Sequence, residues 1–218
     1  MTTTSVNAQS KTLGDDPRTW TVLWSDPEGN ELLESRASHD ELPDALVAQL
    51  WDTPLDHNLP CVLRGKPGVM RRGQRLFYDP TVSAPIDYPF AGQVLRGHEA
   101  DAPTATILSL FRRFSPQYNA VLVNDYQAGE VLGAHSDKVQ TLCPNTGVIS
   151  LTVCLPSNTP SRSFKLYCRR TNRLLHSSLT SHRQLLCMRG PTMQQRTKHS
   201  VGSGRNRRRN YTGRVHKP

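Results

Sequence analysis

The chain has 218 residues and a hydrophobic content of 36%, which suffices for one globular domain with a sizeable core. No apolar run is as long as a membrane span, and the N-terminal MTTTSVNAQSK lacks the apolar centre of a signal peptide. We therefore expect an intracellular protein, cytoplasmic or nuclear, with no membrane segment. The net charge is +9, but residues 1–60 hold 3 basic and 11 acidic residues, whereas residues 61–218 hold 24 and 7. The basic part favours phosphate-rich partners, although a basic surface that serves only solubility explains the composition equally well.

The first 60 residues predict a tail followed by an acidic extension. Residues 1–17 are polar and rich in Thr and Ser, which is typical of a disordered segment. TWTVLW, at 19–24, predicts a short strand, and DPEGN after it predicts a turn. A capping-box pattern from Ser38 to Glu41 and leucines at helical spacing predict a helix, although Pro43 leaves its start open. The extension, 18–60, should thus contain a strand and a helix.

One helix and then many short strands are expected from residue 61 onward. TATILSLFRRF, residues 104–114, places its apolar residues at helical spacing. After Phe114 the chain turns to short β-prone runs: AVLVNDY, GVISLTVCL, SFKLYCR, RQLLCM and RNYTGR. Such strands with turn-rich connections predict an antiparallel sandwich or barrel, hence a mainly β fold with flanking helices. The five cysteines are widely spaced and form no C-x-x-C, so we expect reduced thiols.

A histidine and an aspartate two positions apart are candidate metal ligands. Side chains i and i+2 of an extended segment point to the same side, so His135 and Asp137 can face one ion. Asp137 is also the last acidic residue of the chain. A third ligand must come from elsewhere, and the histidines that follow are His176, His182, His199 and His216. Two histidines with one carboxylate form the facial triad that favours Fe(II). An isolated His-x-Asp also occurs by chance, and zinc fits less well because the cysteines are not placed as ligands.

The C-terminal RRNYTGR is the second unusual pattern. Strand alternation places Arg208, Asn210, Thr212 and Arg214 on one face. Two guanidiniums and an amide on one face suit a small dicarboxylate, because arginine pairs with carboxylates through two parallel hydrogen bonds. The same charges would also protect an edge strand from unwanted pairing. The sequence alone leaves both interpretations open.

Taken together, these motifs resemble the AlkB family of Fe(II)- and 2-oxoglutarate-dependent dioxygenases. That family carries, in order, Asn-x-Tyr, His-x-Asp, a distal His and Arg-x-Asn-x-Thr-x-Arg. The corresponding residues here are Asn124–Tyr126, His135–Asp137, His199 and Arg208–Arg214. The similarity spans roughly residues 62–214, and FYDP and DYPFAG match the substrate-side segments of the family more loosely.

The resemblance implies a double-stranded β-helix, or jelly-roll, within a dioxygenase domain at 61–218 whose catalytic core is about 115–214. It also implies the cofactor Fe(II), held by His135, Asp137 and His199, with 2-oxoglutarate and dioxygen as co-substrates. Arg208 would hold the distal carboxylate of 2-oxoglutarate with help from Tyr126 and Asn210. Arg214 and Asn124 would hold the carboxylate beside the keto group.

The implied reaction is oxidative demethylation of N-alkylated bases, such as 1-methyladenine and 3-methylcytosine, in RNA or DNA that is single-stranded. Basic residues interleaved with aromatics can bind a backbone and stack an extruded base. The substrate candidates are Arg71, Arg72, Phe77, Tyr78, Tyr88 and Lys138. Equally, Phe77 and Tyr78 can simply cover the core. Val139 stands where several family members carry an acidic residue that would help to bind a cationic base.

Two other functions remain open at this point. One is a dioxygenase of the same fold that acts on a protein or a small molecule. The other is a basic nucleic-acid-binding module without catalysis, in which His135 and Asp137 are structural. A monomer is expected in each case.

Overall fold

The computed structural model describes residues 9–13, 15–63, 65–90, 92–137, 142–143, 146–154, 162–204 and 207–216. The substrate candidate Lys138 lies outside these residues. Most of the described chain is β-strand, with two longer helices and one short one. The expectation of a mainly β fold with flanking helices is confirmed.

The strands, in chain order, are β1 (Ser10–Leu13), β2 (Asp16–Ser25), β3 (Glu31–Arg36), β4 (Leu59–Leu63), β5 (Lys66–Met70), β6 (Gly73–Tyr78), β7 (Asp87–Phe90), β8 (Gln93–Glu99), β9 (Ala120–Tyr126), β10 (Leu132–His135), β11 (Val148–Cys154), β12 (Ser163–Cys168), β13 (Leu174–Leu179), β14 (Gln184–Arg189), β15 (Thr197–Val201) and β16 (Arg208–Arg214). The helices are α1 (Asp44–Asp52), α2 (Ala102–Arg112) and α3 (Met193–Arg196).

A large sheet of ten strands forms the body of the molecule. Its order is β1-β2-β3-β14-β11-β16-β9-β6-β8-β7, and every neighbouring pair is antiparallel except β6 and β8. The central strands are covered on both sides, and β9 is buried at all seven positions. Strands covered on both sides need apolar residues on both faces, which is why AVLV in β9 does not alternate with polar residues.

A second sheet faces the large one. It has four strands in the order β10-β15-β12-β13, and we call it the small sheet. A shared apolar cluster fills the space between the two: Phe164 and Leu166 from β12 pack with residues of β3, β11 and β14. The two sheets therefore pack face to face around part of the core.

Helices α1 and α2 cover the other face of the large sheet. The helical residues Leu50, Ile107 and Phe111 belong to one buried cluster with Val121 of β9 and other sheet residues. Gly213 makes this close packing possible, because a Cβ there would lie 2.4 Å from the Phe111 ring. The site strands β9 and β16 are thus pressed between helices on one side and the small sheet on the other.

The acidic extension is part of the same body. In β16, Arg209 donates Nη1 hydrogen bonds to the carbonyls of Leu50 (2.6 Å) and Thr53 (2.9 Å), and the Tyr211 hydroxyl donates to Leu50 O at 2.7 Å. Carbonyls at a helix C-terminus have no hydrogen-bond partner within the helix, so these donors satisfy acceptors that would otherwise be unpaired. The end of α1 is therefore anchored on a strand that carries candidate site residues.

The prediction that residues 1–17 are disordered is wrong for the part of this segment that the structure describes. Ser10–Leu13 is a strand, and β2 already begins at Asp16. The reason is pairing: Lys11 lies opposite Trp20, and the side chain of Leu13 is buried. The predicted strand at 19–24 is confirmed within β2.

The helix expected after Ser38 begins later than its capping pattern suggests. Both capping-box hydrogen bonds form, from Glu41 N to Ser38 Oγ (3.2 Å) and from Ser38 N to Glu41 Oε2 (2.8 Å). The helix itself starts only at Asp44, because the residue before a proline disfavours helical backbone angles. The motif thus closes a turn that leads into α1.

The helix and the strands predicted for the second half of the chain are confirmed. Helix α2 and the strands predicted after Phe114 are present. All five cysteines are free. No helix in the described ranges is both long and apolar enough to cross a membrane.

Candidate metal and dicarboxylate site

The three predicted metal ligands meet between the two sheets. His135 at the end of β10 lies directly opposite His199 of β15, and their ring centroids are 4.3 Å apart. One ligand atom from each of His135, Asp137 and His199 lies within 4.8 Å of the others. Paired strands and the i, i+2 spacing together produce this convergence.

Short contacts hold the His-x-Asp segment in place. Ser136 Oγ donates to Thr197 O at 2.5 Å, and Asp137 N donates to Gln194 Oε1 at 3.0 Å. His135 Nδ1 lies 2.9 Å from Gly133 O. Because a carbonyl only accepts hydrogen bonds, this contact places the proton on Nδ1. The lone pair of Nε2 is then free to coordinate a metal ion.

The environment keeps the three side chains in the form that binds metal ions. Burial and the neighbouring His135 lower the pKa of His199 to about 3, and burial also lowers the pKa of His135. Burial alone would raise the pKa of Asp137, but Arg214 and the two imidazoles outweigh it and lower that pKa overall. Two neutral imidazoles and one carboxylate are therefore present at neutral pH, as coordination requires.

Arg214 and Arg208 occupy different electrostatic positions. Arg214 Nη2 donates to Asp137 Oδ1 at 2.5 Å, so this buried guanidinium has a counter-charge. Arg208 is 1% exposed, and no carboxylate of the described residues pairs with it. Its Nη1 donates to the Thr180 hydroxyl, its Nε has no hydrogen-bond partner, and burial lowers its pKa to about 10. A buried cation without an anion is expensive, which indicates a place for an anionic ligand.

All the residues predicted for metal and 2-oxoglutarate line one cavity. Its volume is about 60 Å³, where a single water needs roughly 10–15 Å³ on the same kind of measure. The predicted residues on its wall are Asn124, Tyr126, His135, Asp137, His199, Arg208, Asn210 and Arg214. Thr212 also lines it, so the predicted one-sided row of β16 is confirmed. The edge-strand interpretation is wrong, because β16 lies between β11 and β9.

A wider cleft of about 900 Å³ adjoins this cavity, and the two share Arg72 and His135 among their walls. Two aromatic rings, Tyr88 and Phe90, stack in the cleft wall with centroids 5.9 Å apart. The guanidinium of Arg72 lies 5.5 Å from the Phe90 ring centroid. The cleft thus leads from the surface to the metal ligands past aromatic and cationic groups.

The substrate candidates divide into two groups. Arg71, Arg72 and Tyr88 line the cleft, although Tyr88 is buried beneath its rim. Phe77 and Tyr78 line neither cavity and are buried in the core, which corrects their proposed role in stacking a base. Phe77 packs into the cluster that the helices cover, and Tyr78 packs into a cluster with Tyr88 and Leu95, so both faces of β6 are covered.

Four further residues support the site without being predicted for it. Arg162 is 1% exposed and donates to the carbonyls of Glu130 (2.5 Å) and Gly202 (3.4 Å), which ties the loop before β10 to the end of β15. Thr180 contacts Arg208, and Gln194 fixes Asp137. Glu130 is the acidic residue on the described wall of the cleft. Arg162 is the first residue of a stretch, Arg162–Leu166, that resembles the family. Thr180 and Gln194 carry no sequence signal, because their roles depend on tertiary contacts.

Two buried atoms are compatible with a metal ion and an anionic group in this site. Asp137 Oδ2 is buried without a hydrogen-bond partner, beside two imidazoles. Arg208 Nε likewise has no hydrogen-bond partner, and no carboxylate of the described residues forms an ion pair with this guanidinium. Unsatisfied buried groups of this kind are rare and usually have a function. A cation at the triad and a carboxylate at Arg208 would satisfy both.

Comparison with known proteins adds no assignment. Neither models of protein families nor curated proteins give a match to this chain.

Proposed function

We propose that this protein is an Fe(II)- and 2-oxoglutarate-dependent dioxygenase of the AlkB type. Its substrates would be N-alkylated bases, such as 1-methyladenine and 3-methylcytosine, in single-stranded RNA or DNA, and its two facing sheets would form a double-stranded β-helix. The observation that carries this proposal is the position of a buried, unpaired arginine on the wall of the cavity that contains two histidines and an aspartate.

The donor set favours iron over the other common metals. Two imidazoles and one carboxylate leave coordination positions free, as in the facial triad of non-haem Fe(II) oxygenases. Ser136, Gln194 and Gly133 fix the two ligands of the His-x-Asp segment through hydrogen bonds. Such supporting contacts set the orientation of ligands and their affinity for the metal.

The arginines would orient the co-substrate. Arg208, at the base of the cavity with Thr180, would take the far carboxylate, and the Tyr126 ring lies 5.4 Å from its guanidinium. Arg214 would face the carboxylate nearer the metal while its bond to Asp137 keeps that ligand oriented. Held at both ends, the co-substrate would have a single orientation, which lowers the entropic part of the barrier.

With 2-oxoglutarate and dioxygen, the iron would supply oxidation of a C–H bond, and a hydroxylated N-methyl group then leaves as formaldehyde. The protein's part is to bind, orient and exclude water. The apolar wall of the cavity, which includes Phe164, Leu186 and Val201, keeps bulk water from the ligands. The cleft would direct a methylated base towards His135, the ligand that both cavities share.

The cleft suits a base attached to a phosphate backbone. Phe90 provides aromatic surface backed by the buried ring of Tyr88, and Arg71 and Arg72 provide positive charge at the cleft wall. Aromatic stacking combined with cationic contacts is how proteins bind unpaired nucleotides. A protein or metabolite substrate would have less need of this combination.

Glu130 is expected to favour cationic bases, because it places a carboxylate in the cleft of a protein that has Val139 where the family often has an acid. Its Oε2 accepts from Gln127 N at 2.7 Å, and Glu130→Gln retains an oxygen for that bond while it removes the charge. We expect KM for 1-methyladenine substrates to rise up to about five-fold, since a partly exposed charge pair contributes at most about 1 kcal/mol.

Turnover of an uncharged methylated base, such as N6-methyladenine, is the internal control for Glu130→Gln. It should not change if the effect is electrostatic. An equal rise of KM for both bases would show that the substitution acts through the loop and not through charge.

The direct test of the proposed function is an anaerobic titration with Fe(II) and 2-oxoglutarate, followed by turnover. A weak visible charge-transfer band should appear only when both are present. Methylated oligonucleotides should then release formaldehyde in air. Succinate formed only with peptides or metabolites would favour the alternative substrate class, and nucleic-acid binding without any band would favour the non-catalytic module.

A further inference from the structure

The outer face of the small sheet carries a second group of basic residues. Directly paired residues of neighbouring strands project to the same side. Lys165 pairs with Ser177 and Ser200, and Tyr167 pairs with Lys198. The residues between them along the strands, such as Leu166 and His199, are buried and face the large sheet. The outer face therefore presents two lysines, a tyrosine and two serines, all at least partly exposed.

Three arginines extend this face at one end. The turn that joins β12 to β13 contains Arg169, Arg170 and Arg173, and each is exposed. None of these three, nor Lys165, forms an ion pair with a described carboxylate. The nearby Arg196, by contrast, is paired with Glu28 at 2.5 Å. Since residues 138–218 contain no Asp or Glu, the segment that builds the face supplies no internal counter-charge.

The face is separate from the cleft. Within β15, His199 points inward to the metal ligands, whereas Lys198 and Ser200 project from the opposite side. None of the residues of the outer face lines either cavity. Three strands spaced about 4.8 Å apart make a surface roughly 10 Å wide, and alternate residues along a strand are about 6.6 Å apart. Such dimensions accommodate several nucleotides of an extended strand.

We propose that this outer face, together with the arginine turn, is a second nucleic-acid-binding surface that holds the phosphate backbone of a single strand away from the cleft. Lysine, arginine and serine side chains are the usual partners of phosphate oxygens, and such contacts position a strand without reading its sequence. The partly exposed Tyr167 ring offers a stacking surface between the cations. The identity of the polymer rests on the proposed function, but its binding is measured without turnover.

The test compares two triple variants of the full chain. One replaces Lys165, Arg170 and Arg173 with glutamine. The control replaces Arg36, Arg96 and Arg113, which are exposed elsewhere, and so removes the same charge. Fluorescence anisotropy with an unmodified single-stranded 20-mer over a range of salt concentrations gives the affinity and its salt dependence. The slope of log K against log salt is negative, and losing three phosphate contacts should reduce its magnitude by about 2.

The slope of the control variant should differ from the wild-type slope by no more than the effect of about one phosphate contact, roughly 0.7. Equal losses in both variants would show that only net charge matters, and an unchanged slope in the first variant would also overturn the proposal. The proposal would also be overturned if the first variant bound anionic vesicles or acidic peptides more weakly than the wild type but bound the 20-mer equally well. Should the triple variant fail to fold, Arg170→Glu in the exposed turn gives the same comparison with a single change.

Turnover separates this proposal from the proposed function. In the first variant, KM for a methylated 20-mer should rise while a methylated trinucleotide, too short to reach the outer face, is processed as by the wild type. If neither substrate is processed by any variant, the proposed enzyme fails, yet the change in the salt slope still decides for or against the second surface.

Discussion

Replacing Arg208 with methionine is expected to stabilise the ligand-free protein and to weaken its binding of 2-oxoglutarate. The guanidinium is 1% exposed and no described carboxylate pairs with it, so folding desolvates a charge with little compensation. Exchanging buried ionic groups for apolar side chains of similar volume has stabilised proteins by about 1–4 kcal/mol. Replacing an arginine whose role is structural would instead lower the free energy of unfolding. Stability given up for a charged pocket is a mark of a ligand site.

The measurement pairs urea unfolding of the ligand-free variants with titration of 2-oxoglutarate. Removing the partner of a buried charge costs roughly 2–5 kcal/mol of binding free energy, so the affinity for the dianion should fall at least about thirty-fold. Arg170→Met, in an exposed turn, is the control and should leave both quantities nearly unchanged. Loss of stability in Arg208→Met with normal 2-oxoglutarate binding would assign the arginine to the core.

The site could be predicted from the sequence because its residues follow strand periodicity. His135 and Asp137 are two positions apart, and Arg208, Asn210 and Arg214 alternate along one strand, so each set faces one side whatever the tertiary detail. The structure adds the direct pairing of His135 with His199, which no local pattern encodes. Distal partners of this kind came only from the resemblance to a family.

The remainder of the fold was less predictable for physical reasons. Residues 59–99 form five short strands that contain Pro67, Pro89 and several glycines, and those residue types normally indicate turns. The N-terminal strand Ser10–Leu13 is polar and is ordered by its pairing with β2. Phe77 and Tyr78 look like a binding motif in the sequence, but apolar clusters on the two faces of their strand bury them. Each of these outcomes depends on contacts between segments distant in sequence.

Replacing Asp137 with alanine is expected to remove Fe(II)-dependent turnover while single-stranded nucleic acid still binds. Loss of supporting contacts alone typically costs 10–100-fold in metal affinity, so loss of a ligand should exceed about 100-fold. The change also leaves Arg214 as a buried cation without its carboxylate. Breaking a buried pair in this way costs about 3–5 kcal/mol of folding free energy. Lost activity alone would therefore not separate a missing ligand from a damaged fold.

A second substitution separates the two effects. In Asp137→Ala combined with Arg214→Met neither charge is left unpaired, so urea unfolding should recover most of the stability lost in the single variant. The affinity for Fe(II), measured without 2-oxoglutarate, should remain as low as in the single variant, because the third ligand is still missing. Asp87→Ala, an exposed residue of β7, serves as the control for removal of one carboxylate. Recovery of Fe(II) affinity together with stability would mean that Asp137 acts only as the counter-ion of Arg214, and the metal site would have to lie elsewhere.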